Sequence, residues 1–286
     1  MKILILGANG MAGHIMTDYL KRKNYNVSTL ARDNADFCVD IENKDRLDKF
    51  FNSENSTCDF LINCIGLLVG DANKDPAKAA YINSYFPHYL EQKYSSTTTR
   101  VVHLSTDCVF DGSKGNYIES DIHTEMNYYG KSKSLGEINN AKDITFRTSI
   151  IGPELKTNGT GLLKWILTNP DKELNGWENA WWNGVTTLQL AKCVEIYINN
   201  PIISGVYNLV NNDVKINKYN LLCKVNEIYN LGKLVNKTNG PKTVNKVLVD
   251  TKQLIDFKIP DYDTQLKELK YFTDPVSDIK RVNYLM

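Results

Sequence analysis

The sequence predicts an α/β protein built on a doubly wound parallel sheet, with a second, smaller α/β lobe. Two observations indicate this class. In the first half of the chain, short apolar runs alternate with segments whose apolar residues recur at helical spacing. The first apolar run, residues 3–6, also leads directly into a glycine-rich stretch and a helix-like segment. Strands that alternate with helices in this way are joined by right-handed crossovers in a parallel sheet.

The elements of the first half follow from these patterns. Strands are expected at 3–6, 27–30, 60–64, 101–104 and 144–146, and helices at 11–22, 44–51, 76–94 and 128–138. Pro76 suits the first turn of the long helix, whereas Pro87 is expected to kink it.

The alternation loosens after residue 150. Helices are expected at 161–167, 186–198 and 219–231, a strand at 205–210, and a loop in the segment 175–184, which is rich in tryptophan and asparagine. We therefore predict a first domain over residues 1–150 and a lobe made mainly of residues 151–286, with segments such as 185–210 returning to the first domain.

Composition excludes several classes of protein. The chain has 286 residues, of which 42% are hydrophobic, and a formal net charge of +1. Such a chain can bury a large core and shows no electrostatic footprint for nucleic acid or an anionic membrane. No apolar run approaches the roughly 20 residues of a membrane helix. The oligomeric state is left open, with a homodimer as one option.

The cysteines and histidines point to no metal or disulfide framework. Six single cysteines suit a reducing compartment, and the apolar N-terminal run is too short for a signal peptide, so a cytoplasmic location is expected. The four histidines have no ligand spacing, and no metal site is expected. His103 lies in a predicted strand and is interpreted as a satisfied core histidine.

A glycine turn joins the first strand to the first helix. Gly7, Gly10 and Gly13 are spaced so that the chain can turn sharply, approach a pyrophosphate and then pack the helix on the strand. The helix N-terminus adds free N–H groups and a partial positive charge. The sequence therefore predicts a Rossmann-type site for NADP or NAD, with Asn9 and Met11 in the same turn.

The choice of dinucleotide depends on residues after the second strand. Arg32 could pair with a 2′-phosphate, which favours NADP; alternatively Arg32 is a solvated charge and Asp33 holds the ribose. Asp40 and Ile41 could bracket the adenine, although Asp40 could equally be a plain helix-start residue.

A tyrosine and a lysine are spaced for proton transfer. Tyr129 and Lys133 share one face of a predicted helix, whereas the neighbouring Tyr128 is out of phase with the lysine. An ammonium beside the phenol is expected to lower the phenol's pKa and make it a usable acid near neutral pH. Ser105 and Thr106 end a central strand, where open parallel sheets place their ligand contacts.

These residues resemble the extended short-chain dehydrogenases/reductases. Within that superfamily, the runs 104–112 (LSTDCVFDG), 129–137 (YGKSKSLGE), 147–152 (RTSIIG) and 184–188 (GVTTL) are similar to the dTDP-4-dehydrorhamnose reductase group. The resemblance implies an NAD(P)H-dependent reduction of a nucleotide-linked 4-keto-6-deoxyhexose. Thr106 would bind the C4 carbonyl, Tyr129 would protonate its oxygen, and Lys133 would bind the nicotinamide ribose.

The resemblance also implies further contacts. The cofactor would be lined by Cys64, Ile65 and Gly66, and by Ser105 and Asn83, unless Asn83 is only a polar residue on the helix surface. The expected substrate contacts are Thr106, Asp107, Val109, Phe110, Ile150 and Trp182. Trp182 lies in a cluster with Trp177 and Trp181, which stacks on the substrate or only packs the two lobes together.

The sequence departs from that group at two positions. Ile150 stands where an aromatic residue is typical, and Cys108 where a tyrosine is common. Both changes bear on sugar identity. Two alternatives to the reductase remain: an epimerase or dehydratase with tightly held NAD, in which Asp107 is an extra acid or base, and a non-catalytic Rossmann subunit.

Overall fold

The central sheet explains how the site is positioned. A computed structural model describes residues 1–156 and 159–274 of the chain. Seven parallel strands lie in the order β11-β6-β5-β4-β1-β2-β3. They are β1 (Lys2–Leu6), β2 (Asn26–Ala31), β3 (Phe37–Cys38), β4 (Phe60–Asn63), β5 (Arg100–Ser105), β6 (Ile144–Arg147) and β11 (Gly205–Asn208). The predicted doubly wound parallel α/β sheet is confirmed.

Helices cover both faces of this sheet. They are α1 (Met11–Arg22), α2 (Lys44–Phe51), α3 (Val69–Lys74), α4 (Pro76–Ala79), α5 (Phe86–Tyr94), α6 (Tyr128–Leu135) and α8 (Thr187–Asn199). Alternate residues of β1 enter two different cores. Ile3 and Ile5 pack in the core that contains α1 and α8, whereas Leu4 and Leu6 pack in the core that contains α2 and α5. The sheet is therefore buried on both faces, as its continuous apolar runs require.

The rest of the described structure, outside the seven-stranded sheet and its helices, is built from three short sheets and three helices. Its strands are β7 (Ile150–Ile151), β8 (Glu173–Trp177), β9 (Ala180–Trp182), β10 (Val185–Thr186), β12 (Ile216–Asn217), β13 (Leu234–Thr238) and β14 (Val244–Asn245). Its helices are α7 (Leu162–Thr168), α9 (Lys218–Ile228) and α10 (Tyr262–Thr273). Segment 275–286 of the predicted lobe lies outside the described residues. Among the described residues, no helix has the length and apolarity to cross a bilayer.

Two predicted elements are wrong. The segment 175–184, expected to be a loop, contains most of β8 and all of β9, because its tryptophans pair and pack within strands. The helix expected at 76–94 is interrupted, although not at Pro87. It consists of α4, a π-helical turn at Ala80–Tyr85, and α5, and Pro87 lies in the first turn of α5, where a missing N–H costs little.

Helix α6 is also shorter than expected. It ends at Leu135, and Gly136 follows in close contact with the helix opposite: a Cβ at Gly136 would lie 1.8 Å from the Asn83 carbonyl oxygen. Only glycine allows this approach, which brings Asn83 against α6.

Candidate active site

The glycine turn has the geometry that its sequence predicts. Gly7 adopts a φ of +76°, where side chains are strained, and its N–H donates to the Leu30 carbonyl at 2.8 Å. A Cβ at Gly13 would lie 2.1 Å from the Gly7 carbonyl oxygen, so α1 packs on β1 only with glycine there. Gly10 is the N-cap of α1, and no side chain caps the helix. The first-turn N–H groups are therefore left for a ligand.

Two adjoining cavities open on this turn. One, of about 460 Å³, lies beside β2, and the other, of about 470 Å³, lies over the ends of β5 and α6. Both are lined by Asn9, Gly10, Cys64, Ile65, Gly66, Leu67, Leu155 and Lys156. A long ligand could therefore run from one cavity into the other across the N-terminus of α1.

The first cavity is lined by charged residues. Arg32, Asp33, Asp40 and Ile41 all line it, as does Lys78, which pairs with Glu42 at 2.6 Å. Asp33 accepts hydrogen bonds from Asn9 through its backbone carbonyl at 2.7 Å and its carboxylate at 3.2 Å. Asp33, the sequence neighbour of Arg32, is therefore already hydrogen-bonded to the glycine turn.

The second cavity brings the three predicted catalytic residues together. Thr106, Tyr129 and Lys133 line it, with Ser105, Met11 and Ile150. Helix α6 begins at Tyr128 because the Asn127 side chain accepts from the Gly130 N–H at 2.9 Å. Tyr128 is 53% exposed and does not line the cavity, whereas Tyr129 does.

The pKa of Tyr129 differs from the sequence expectation. Burial raises it above the usual value, the nearby Cys108 and Asp107 act in the same direction, and a hydrogen bond with Thr106 partly offsets them. Lys133 is not among the groups that shift it. The expected lowering by the ammonium is therefore wrong, and the phenol keeps its proton.

Lys133 is turned towards the sheet. Its Nζ donates to the Leu104 carbonyl at 2.5 Å and lies 3.4 Å from Nε2 of His103. Burial lowers the pKa of this amine to about 8, while Glu137 and Cys64 act to raise it.

Thr106 and Asp107 form a buried pair at the end of β5. The Thr106 hydroxyl donates to Asp107 Oδ1 at 3.2 Å and accepts from the Cys108 N–H at 3.1 Å. Burial raises the pKa of the Asp107 carboxyl. The hydroxyl must therefore turn from Asp107 before it can donate to a ligand in the cavity.

Asn83 braces the cofactor side of the cavity. It is fully buried, which excludes the surface interpretation. Its Oδ1 accepts from the Leu67 N–H at 2.8 Å, and its Nδ2 donates to the Leu67 carbonyl and to Ser132 Oγ, each at 3.1 Å. One amide thus joins the loop after β4 to helix α6.

The Ser105 hydroxyl is hydrogen-bonded to a buried ion pair. It donates to Glu137 Oε1 at 2.6 Å, and Glu137 pairs with Arg147, whose side chain is only 1% exposed, at 2.6 Å. Sequence reasoning did not find this buried ion pair beneath the site.

Four expected substrate contacts do not line this cavity: Asp107, which is only 3% exposed, Val109, Phe110 and Trp182. Val109 and Phe110 are completely buried in a small core with Tyr117, on which Phe110 stacks at 4.1 Å, because the chain after Thr106 turns inward. Trp182 stacks on Tyr262 at 5.5 Å and does not line the cavity. The structure thus favours lobe packing for Trp182. The other two tryptophans of the cluster, Trp177 and Trp181, lie under the ammonium groups of Lys218 and Lys215.

The sequence analysis missed two parts of the cavity wall. One is residues 67–70, after β4, and the other follows β6 and contains Thr148, Ser149, Glu154, Leu155, Lys156, Thr160 and Gly161. A signal was available for the segment after β6, because Thr148 and Ser149 follow directly from a parallel strand. Parallel strands end at the same edge of a sheet, so this segment had to lie beside Thr106.

The comparisons with known proteins agree with this geometry. Residues 1–241 match the family model described as "RmlD substrate binding domain". The chain belongs to this family.

Curated relatives in the family carry reductase names. A dTDP-4-dehydrorhamnose reductase of Burkholderia thailandensis is 36% identical over 155 residues, which are 52% of this chain and 50% of that protein. One of Salmonella typhimurium is 26% identical over 222 residues, covering 73% and 72% of the two chains. The chain spans about half the length of the first of these relatives.

Solved structures share the fold. A dTDP-4-dehydrorhamnose reductase of Clostridium acetobutylicum superposes with a TM-score of 0.77 at 23% identity, over 94% of this chain and 98% of that one. The Bacillus anthracis reductase in complex with NADP gives 0.79 at 19% identity, over 94% and 99%. A UDP-glucose 4-epimerase of Thermotoga maritima gives 0.74 at 15% identity, over 99% and 100%. Because reductases and an epimerase superpose comparably well, the fold alone does not choose between them.

Proposed function

We propose that this protein is an NADP(H)-dependent reductase of a nucleotide-linked 4-keto-6-deoxyhexose in the synthesis of deoxysugars for surface polysaccharide. The observation that carries the proposal is the cavity in which Thr106, Tyr129 and Lys133 meet beside the glycine turn. The reductase names of the curated relatives support the same reaction.

The residues present fit a nicotinamide dinucleotide. No side chain caps α1 at Gly10, and the two cavities, which contain Arg32 and Tyr129 respectively, share eight lining residues. The 2′-phosphate of NADP would lie near Arg32, which is why NADP is preferred in the proposal. The dinucleotide, when bound, supplies the hydride.

The chain's own groups handle the proton and the carbonyl. Tyr129 holds its proton at the phenol oxygen, since burial raises its pKa, and would release it to the carbonyl oxygen as negative charge develops there. Thr106 would orient the same oxygen with its hydroxyl. Lys133, with an N–H already on Leu104, would direct its remaining donors towards the cofactor ribose.

A direct assay tests the proposal. The purified protein is mixed with NADPH or NADH and a panel of nucleotide-linked 4-keto-6-deoxyhexoses that includes dTDP-4-dehydrorhamnose, and the loss of nicotinamide absorbance is followed. We expect net oxidation of NADPH and a product reduced at C4 by NMR. Copurified NAD that does not exchange, with sugar conversion and no net oxidation, would favour an epimerase or dehydratase that uses Asp107. No conversion with any sugar would favour a non-catalytic subunit.

A further inference from the structure

A completely buried histidine lies directly behind the catalytic lysine. His103 is on β5, the central strand whose end carries Thr106, and its side chain has no exposed surface. Its Nδ1 lies 3.1 Å from Asn63 Nδ2, and its Nε2 lies 3.4 Å from Lys133 Nζ. The interpretation as a core histidine is correct for its burial but leaves out the contact with Lys133.

The neighbouring amide determines where the imidazole carries its proton. Asn63 Oδ1 accepts from the Ile65 N–H at 3.1 Å, so its oxygen faces the cofactor loop and its NH₂ group faces His103. An NH₂ group can only donate, and therefore Nδ1 of His103 accepts. Burial also lowers the pKa of His103 well below its usual value, which keeps the ring neutral. In a neutral ring whose Nδ1 accepts, the proton is on Nε2.

The Nε2 proton limits what Lys133 can bond. An ammonium has three donors and no acceptor, so it cannot form a hydrogen bond with an N–H group that faces it. Among the described residues, the Leu104 carbonyl is the acceptor that Lys133 reaches, at 2.5 Å. The contact at 3.4 Å with Nε2 thus brings two donors together, and the other ammonium protons stay free on the side of the cavity.

We propose that His103 is a positioning residue: its Nε2–H denies Lys133 a second acceptor inside the protein and so reserves the lysine's donors for the cofactor cleft. This role rests on the proposed reductase function. The Nε2–H group of His103 also disfavours the ammonium form of Lys133 relative to the amine, which is the direction in which burial acts on this lysine.

Other charged groups around this contact also act on the equilibrium between the ammonium and amine forms of Lys133. Glu137, just after α6, and Cys64, after β4, favour the ammonium, and Glu137 is itself paired with Arg147. His88 of α5 acts only on the charged form of His103, which burial already disfavours. Any pH dependence of Lys133 therefore reflects Glu137 and Cys64 as well as His103.

The tautomer can be observed without any turnover. In the full-length protein labelled with ¹⁵N-histidine, two-bond ¹H–¹⁵N spectra distinguish the two neutral tautomers and the charged ring. We expect His103 to be the Nε2–H tautomer and not to titrate between about pH 6 and 9, because burial disfavours its charged form. An Nδ1–H tautomer, or titration in that range, would overturn the proposal whether or not the protein is a reductase.

His103→Gln tests the effect on Lys133. Glutamine can turn its carbonyl oxygen towards Nζ and accept one of the reserved donors. We expect weaker binding of NADPH by about tenfold, as one charged hydrogen bond is redirected, and an alkaline limb of kcat/KM about one pH unit higher, because the ammonium gains an acceptor.

His88→Gln is the matched control, because it changes a histidine on the outer helix. In this variant, NADPH affinity and the pH of the alkaline limb of kcat/KM should both equal those of the unmodified protein within error. A His103→Gln protein that is only less stable, with NADPH affinity and the limb unchanged, would show that the histidine is merely structural.

Discussion

The central sheet and the region that contains the tryptophan cluster are built differently. On the sheet side, Asn63, His103 and Lys133 are buried at strand ends or against them, and each is held by a hydrogen bond or close contact from the backbone or its neighbour. In the region of the tryptophan cluster, sheets of two or three short strands carry tryptophans that pack on Tyr262 or lie under lysines. The sheet side is preorganised for chemistry, because its polar groups have few alternative positions.

This difference predicts where substitutions act. Changes on the sheet side should remove turnover or cofactor binding, whereas changes among the lobe aromatics should mainly alter stability or substrate affinity. The four predictions below test that separation.

Tyr129→Phe should have the largest effect. Loss of the only proton that the proposal gives to the carbonyl oxygen should lower kcat by about 10³-fold, within the usual range for a general acid. NADPH affinity, measured by quenching of protein fluorescence, should change little. Tyr128→Phe removes the same hydroxyl from an exposed neighbour and should keep full activity; equal losses in the two variants would contradict the assignment.

Gly13→Ala should disturb both the turn and the fold. Its new Cβ would lie 2.1 Å from a backbone oxygen that cannot move freely, so overpacking should cost about 3 kcal/mol of unfolding free energy and abolish measurable NADPH binding. Gly70→Ala is a control for stability only: it adds the same methyl group to helix α3, where no atom lies within 4 Å, but Gly70 lines the second cavity. Urea denaturation of both variants checks this, and a Gly13→Ala protein as stable as Gly70→Ala would disprove the close packing.

Trp182→Ala should separate packing from substrate contact. Losing a partly buried ring stacked on Tyr262 should cost about 2 kcal/mol of unfolding free energy, with the KM for sugar unchanged. Trp182→Phe keeps an aromatic ring there and should lose much less stability. A large increase in KM at unchanged stability would restore the sequence expectation that Trp182 contacts substrate.

Arg32→Gln should have the smallest effect and a selective one. Removing the cation from the first cavity should weaken NADPH by about tenfold, the order expected for one charged hydrogen bond, and leave NADH almost unaffected. The ratio of kcat/KM for the two cofactors measures this. Parallel changes for both cofactors would assign the ribose to Asp33 instead.

The sheet half of the molecule was predictable because its signals are local. Buried parallel strands are continuous apolar runs, and a turn that needs φ > 0 at Gly7 leaves a visible glycine. The spacing of Tyr129 and Lys133 likewise placed both residues at one cavity. Here residue type and chain position determine the geometry almost alone.

The rest depends on contacts between distant segments. Two- and three-residue strands such as β7 and β14 have no periodicity to detect, and Phe110 is directed inward by packing on Tyr117. The pKa of Tyr129 was misjudged because burial, which a sequence does not display, outweighs a neighbour four residues away.

The π-helical turn at Ala80–Tyr85 makes the position of Asn83 depend on the number of residues in that turn. It accommodates one more residue than an α-helical turn, and Asn83 lies within it, bound to Leu67 and Ser132. Deleting a single residue there would regularise the helix: the flanking segments would keep their phase, but the wide turn that holds Asn83 would be lost. Losing one residue from this turn would thus move the Asn83 amide out of the wall of the cleft, although every proposed catalytic residue would still be present in the sequence.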